Sequence, residues 1–119
     1  MSSEVDKWIE KAEYDLETAK AMLKAGRYLY VVFCCQQAIE KMLKALLTKK
    51  TGEMPPRIHS LPKLAEMCAI PATKDQMRLM LRLSDLYKVS RYPEIAAESG
   101  NETTAVGSQA VLADTQEMM

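Results

Sequence analysis

The stretch Cys34-Cys35-Gln36-Gln37-Ala38-Ile39-Glu40-Lys41-Met42-Leu43-Lys44-Ala45-Leu46-Leu47 decides the fold, because it joins an apolar helix start to an ordered polar stripe. Upstream of it, Tyr28 to Cys35 is apolar or aromatic on every side, and a helix of that kind must be buried over most of its surface. Downstream the pattern turns amphipathic. Val32, Cys35, Ile39, Met42 and Leu46 recur at helical spacing along one face, while Gln36, Glu40 and Lys44, with Gln37 and Lys41 beside them, follow another. The expectation is a helix with one face that packs and one face that can bind.

Working outward, Trp8, Ile9, Ala12, Leu16, Ala19 and Leu23 share a helical face, with Ser2 or Ser3 and nearby acidic residues suited to its start. Ala25-Gly26 should end this first helix, and the short turn makes it an antiparallel hairpin with the next. Gly52 and the pair Pro55-Pro56 stop the second helix and open a loop running to about His59. Ser60 then fits an N-cap with Pro62 in the first turn, and Leu61, Leu64, Ala65 and Cys68 give a short third helix ended by Ile70-Pro71. A fourth helix should begin near Lys74 with Met77, Met80, Leu81, Leu83 (or Ser84) and Tyr87 inward, and Pro93 should stop it near Arg91. Val106, Ala110, Ala113 and Glu117 give a weaker fifth pattern, interrupted by Gly107. The expected architecture is a single all-α domain over residues 1–119. It is an up-and-down bundle of four or five helices at roughly 3–25, 28–50, 60–69, 74–91 and 103–117.

Composition narrows the function classes. Sixteen basic residues balance sixteen acidic ones, so no net field draws the whole chain to nucleic acid or an anionic membrane. The sequence holds no run of about twenty apolar residues, and the polar start reads as that of a cytoplasmic protein. The three cysteines, Cys34, Cys35 and Cys68, form no Cys-x-x-Cys pair and keep no histidine cluster, which points to buried, reduced thiols and to no metal site. Nothing in the sequence calls for a cofactor. The nine methionines read as core filling, and the nearly all-round apolar second helix suits burial between two subunits, a two-fold homodimer.

Four groups of residues together resemble the HEPN domain family of small helical bundles. They are Trp8 with Ala12-Glu13-Tyr14-Asp15-Leu16; Gln36-Gln37-Ala38-Ile39-Glu40-Lys41 with Lys44-Ala45-Leu46; Pro55-Pro56 followed by His59-Ser60-Leu61; and Arg91-Tyr92-Pro93. The resemblance spans nearly the whole chain and implies one of two activities. Many members are metal-independent RNA endonucleases that carry an arginine followed, after four to six residues, by a histidine. Imidazole moves a proton at the ribose or leaving oxygen while guanidinium grips phosphate. Here the one histidine is His59, and the positions that would have to be arginine are Gly52, Glu53 and Met54. The nuclease pattern is absent, so no catalytic residue is assigned, and an atypical ribonuclease stays as an alternative.

The other role the resemblance implies is nucleotide binding, or partnership with a separately encoded minimal nucleotidyltransferase in a two-gene, toxin–antitoxin-type module. The expectation is therefore a noncatalytic module whose ligand-binding residues are Gln37, Lys41, Lys44, His59, Arg91 and Tyr92, with a nucleotide or RNA as the ligand. The competing reading makes the same polar residues an internal network, with Glu40 pairing Lys44 one turn on. A purely structural dimeric interaction protein is the remaining alternative.

Overall fold

The computed structural model describes residues 3–69, 71–91 and 105–119, apart from the side chains of residues 86–91, 105, 106 and 108. The described residues contain five α-helices: α1 (Glu4–Lys24), α2 (Tyr28–Thr51), α3 (Leu61–Cys68), α4 (Lys74–Arg91) and α5 (Ala105–Met118). These bounds follow local chemistry. Ser3 caps α1 in a full capping box: its hydroxyl accepts from the Asp6 amide at 3.1 Å, and the Asp6 carboxylate accepts from the Ser3 amide at 3.4 Å. At the other end the Arg27 amide reaches the Met22 carbonyl and the Gly26 amide the Leu23 carbonyl, a Schellman closure for which Gly26 takes a φ of 76°. The chain then reverses at once into α2, so α1 and α2 pack as the expected antiparallel hairpin. Gly52 ends α2 at φ 72°, and Ser60 caps α3 through its hydroxyl.

Helix α2 is the axis of the molecule and touches α1, α3, α4 and α5. Its apolar start carries Val31, Val32, Cys34 and Cys35 into the core, with Ile39, Leu43 and Leu47 continuing inward. From α3 come Leu61, Leu64, Ala65 and Cys68, from α4 Leu79, Met80 and Leu83, and from α5 Val111 and Leu112. Three cross-helix hydrogen bonds pin the short α3: the Leu61 amide donates to Ser84 Oγ of α4, Lys50 Nζ of α2 donates to the Cys68 carbonyl, and Cys68 Sγ donates to the Leu43 carbonyl of α2.

Three expected packing faces turn by about one position. On α2 the buried face runs through Leu43 and Leu47, whereas Met42 is half-buried and Leu46 is 37% exposed. On α4 Leu79 is buried with Met80 and Leu83, whereas Leu81 is 53% exposed. On α5 Val111, Leu112 and Thr115 face inward, and Ala110, Ala113 and Glu117 face solvent. In each case two neighbouring stripes share the spacing of three and four. The helix settles on the one that buries more large apolar side chain, since the gain follows area removed from water. The expected inward placements of Tyr87 and Val106, the Ile70 stop signal and the Pro93 terminator lie outside the described residues or side chains.

All three cysteines are free and buried, as expected of structural thiols. Burial pushes the Cys35 thiol up from its ordinary 9.0 to about 12, and raises those of Cys34 and Cys68 as well. Because the folded state holds the Cys35 proton more tightly than the unfolded chain does, this stabilisation is complete below pH 9 and is lost as pH rises from 9 toward 12. The urea midpoint should therefore fall over that alkaline window, and the fall should shrink in Cys35→Ala, titrated beside the parent protein.

Candidate functional site

Gln36, Glu40 and Lys44 lie one turn apart on a single line of α2, and all three are buried. Glu40 is the hub of this line. Its carboxylate accepts from Lys44 Nζ at 3.0 Å and from Gln36 Nε2 at 3.2 Å, and His59 Nδ1 lies 3.0 and 3.2 Å from its two oxygens. A carboxylate offers only acceptors, so the His59 tautomer that fits carries its proton on Nδ1 and donates it. Gln36 Nε2 also donates to the His59 carbonyl at 3.0 Å, and Gln36 Oε1 accepts from Gln37 Nε2 at 3.0 Å. The ring and the backbone of His59 are thus both tied to α2, and the loop entering α3 is fixed against the bundle's central helix.

The network continues into α1. Lys44 Nζ sits 5.7 Å from the centre of the Trp8 ring, on whose face Lys11 Nζ lies at 5.4 Å. An ammonium against an aromatic face is attracted by its quadrupole, and the attraction grows with desolvation, which favours the buried Lys44 over the exposed Lys11. Lys41 points to α1 as well and donates to Asp15 Oδ2 at 2.5 Å, both side chains being mostly buried.

The residues expected to form a binding face are thereby placed. Gln37, Lys44 and His59 are brought together as members of the network centred on Glu40, whereas Lys41 is tied separately to Asp15 of α1. Arg91 is the last residue of α4, its side chain outside the description, and Tyr92 lies beyond the described residues. Trp8, set against Lys44, and Asp15, which holds Lys41, were the partners from α1 not anticipated. The signal for Asp15 is a lone acid bordering the apolar face of α1, opposite a basic residue on the antiparallel α2.

Two concavities lie away from the network. An apolar groove of about 440 Å³ opens between the start of α1 and the end of α2, over Val5, Ile9, Met42, Ala45 and Leu46. A charged cleft of about 620 Å³ separates the first half of α4 from the second half of α5. Among the described residues no group of His, Cys, Asp or Glu could hold a metal ion, and no helix is long and apolar enough to cross a membrane.

An all-helical bundle threaded on one apolar helix, with a buried Gln–Glu–Lys line answered by a histidine from the following loop, defines a narrow class of small domain. The HEPN domain family model matches residues 5–118, and the chain belongs to that family. Its fold is similar to that of TT1696 from Thermus thermophilus, at a TM-score of 0.81 and 25% identity over 98% of this chain and 94% of the other. It is also similar to ST0689, an archaeal HEPN homologue, at a TM-score of 0.75 and 27% identity over 98% and 93%. No curated protein matches the sequence.

Proposed function

We propose that this chain is a noncatalytic HEPN module that acts by binding protein: a second copy of itself, and a separately encoded minimal nucleotidyltransferase. The observation that carries this reading is the fate of the two lysines expected to grip phosphate. Lys41 is held by Asp15 and Lys44 by Glu40. For either ammonium to reach a nucleotide, a mostly buried carboxylate would have to lose its partner, a cost of several kcal/mol that one new phosphate contact does not offset. The α2 line therefore serves the fold, and recognition falls to the outer surface. The missing Arg-x4–6-His pattern supports the noncatalytic half of the reading.

Two measurements test it together. In a thermal-shift screen against nucleoside mono-, di- and triphosphates, we expect a flat response up to millimolar ligand. A site occupied at about 100 times its Kd would instead add roughly 2.7 kcal/mol of stability. Co-expression with the nucleotidyltransferase encoded nearest in the genome is expected to yield a complex that survives gel filtration. A saturable nucleotide shift that vanishes in Lys41→Ala would overturn the protein-binding reading of this face. Metal-independent cleavage of RNA that disappears in His59→Ala would overturn the noncatalytic one, with the Glu40-held imidazole as its proton carrier.

A further inference from the structure

The cleft between α4 and α5 has walls of opposite sign. On the α4 wall Arg78 and Arg82 stand one turn apart, and on the α5 wall Asp114 and Glu117 stand three residues apart, all four exposed. Asp75 also borders the cleft and makes a long, solvent-exposed ion pair with Arg78 at 3.9 Å, a weak pairing that leaves the α4 wall net positive. The floor is closed by the buried Leu79 and the half-buried Met118.

A surface with a positive strip beside a negative one is complementary to itself under one particular operation. A two-fold axis running along the cleft, in the plane of contact, lays α4 of one copy over α5 of the other at the same height. Arg78 and Arg82 then face the partner copy's acidic strip, and the reverse contact forms by symmetry, as an isologous interface requires. A two-fold across the helices would instead set like charge on like, which opposes association. Each guanidinium carries five donors, so either arginine can bond within its own chain and still meet a carboxylate across the interface.

We infer that the α4/α5 cleft is the face through which two copies of this chain associate, with the Arg78–Arg82 strip of each set against the Asp114–Glu117 strip of the other. This names the face for the homodimer proposed above and rests on that reading.

The test uses two charge-reversed full-length chains, Arg78→Glu/Arg82→Glu and Asp114→Lys/Glu117→Lys, followed by sedimentation equilibrium beside the parent protein. The parent is expected to be a dimer whose affinity falls as salt is raised. Each variant alone places like charges across both contacts, and should dimerise at least about tenfold more weakly than the parent. Mixed one to one, the two variants restore opposite charge at both contacts and should form a heterodimer. Circular dichroism melts confirm that the variants fold; if either double variant does not, Arg78→Glu and Glu117→Lys are paired in the same way. A parent protein that stays monomeric at hundreds of micromolar overturns the homodimer reading together with this inference. Variants that dimerise as tightly as the parent, or that are monomeric and do not pair with each other, overturn the assigned face alone.

Discussion

Glu40→Ala is expected to cost about 3–5 kcal/mol in urea unfolding, a large share of the roughly 5–15 kcal/mol that holds a domain of this size together. The substitution removes one carboxylate and strands three donors. Lys44 Nζ stays buried as an unpaired charge, Gln36 Nε2 loses one of its two acceptors, and His59 Nδ1 loses the group that fixes its ring. Most of the cost comes from the stranded lysine. Replacing both charges with apolar residues of similar length, Glu40→Leu with Lys44→Met, should therefore recover most of the loss, because a buried ion pair contributes little beyond its isosteric apolar replacement. His59→Ala should be the mildest of the set, at about 1 kcal/mol, since the histidine side chain is 49% exposed and water can replace what it gave up. The order Glu40→Ala far above His59→Ala, with the double replacement near the parent, is the signature of a structural network. If His59→Ala proved as damaging as Glu40→Ala, the loop entering α3 would hold the fold more tightly than this geometry implies.

This network also marks the limit of what the residues disclosed in one dimension. The caps did disclose themselves: Ser3, Gly26, Gly52 and Ser60 act through their own neighbours in sequence, and the ends of α1, α2 and α3 fell where those residues put them. The line Gln36–Glu40–Lys44 was equally legible as a stripe. Whether it faced water was not, because that depends on what answers it from elsewhere in the chain. The carbonyl and imidazole of His59 answer it from a loop 19 residues beyond Glu40, and the Trp8 ring answers Lys44 from α1, as the Asp15 carboxylate answers the neighbouring Lys41. A charged residue amid apolar ones reads as a rim until its partner is known, and the partner is a fact of tertiary structure. The same holds for α5, where Ala110 and Ala113 are apolar enough to suit either side of a helix. The larger Val111 and Leu112 took the core and left the alanines in solvent.

Ile39→Ala and Leu46→Ala should separate by several kcal/mol, although the spacing of α2 puts both residues on one stripe. Ile39 is 1% exposed at the waist of the helix that touches all the others, and its side chain lies within the cluster joining α1, α2, α3, α4 and α5. Truncating it leaves a void that several helices would have to move together to fill, so the full cost of about 2–5 kcal/mol for a buried isoleucine is expected. Leu46 lies two turns on, on the wall of the groove between α1 and α2, and is already in water over more than a third of its surface. Its truncation opens no closed cavity, and alanine favours the helix slightly, so the expected change is within about 1 kcal/mol. Urea midpoints of the two variants measure the difference directly. Equal losses would place Leu46 inside a packed contact that a single copy of the chain does not contain. A loss at Leu46 that grows with protein concentration would identify that contact as one between molecules, because only association makes stability depend on concentration. The groove would then compete with the α4/α5 cleft for the role of dimer face, and the charge-reversed pair would decide between them.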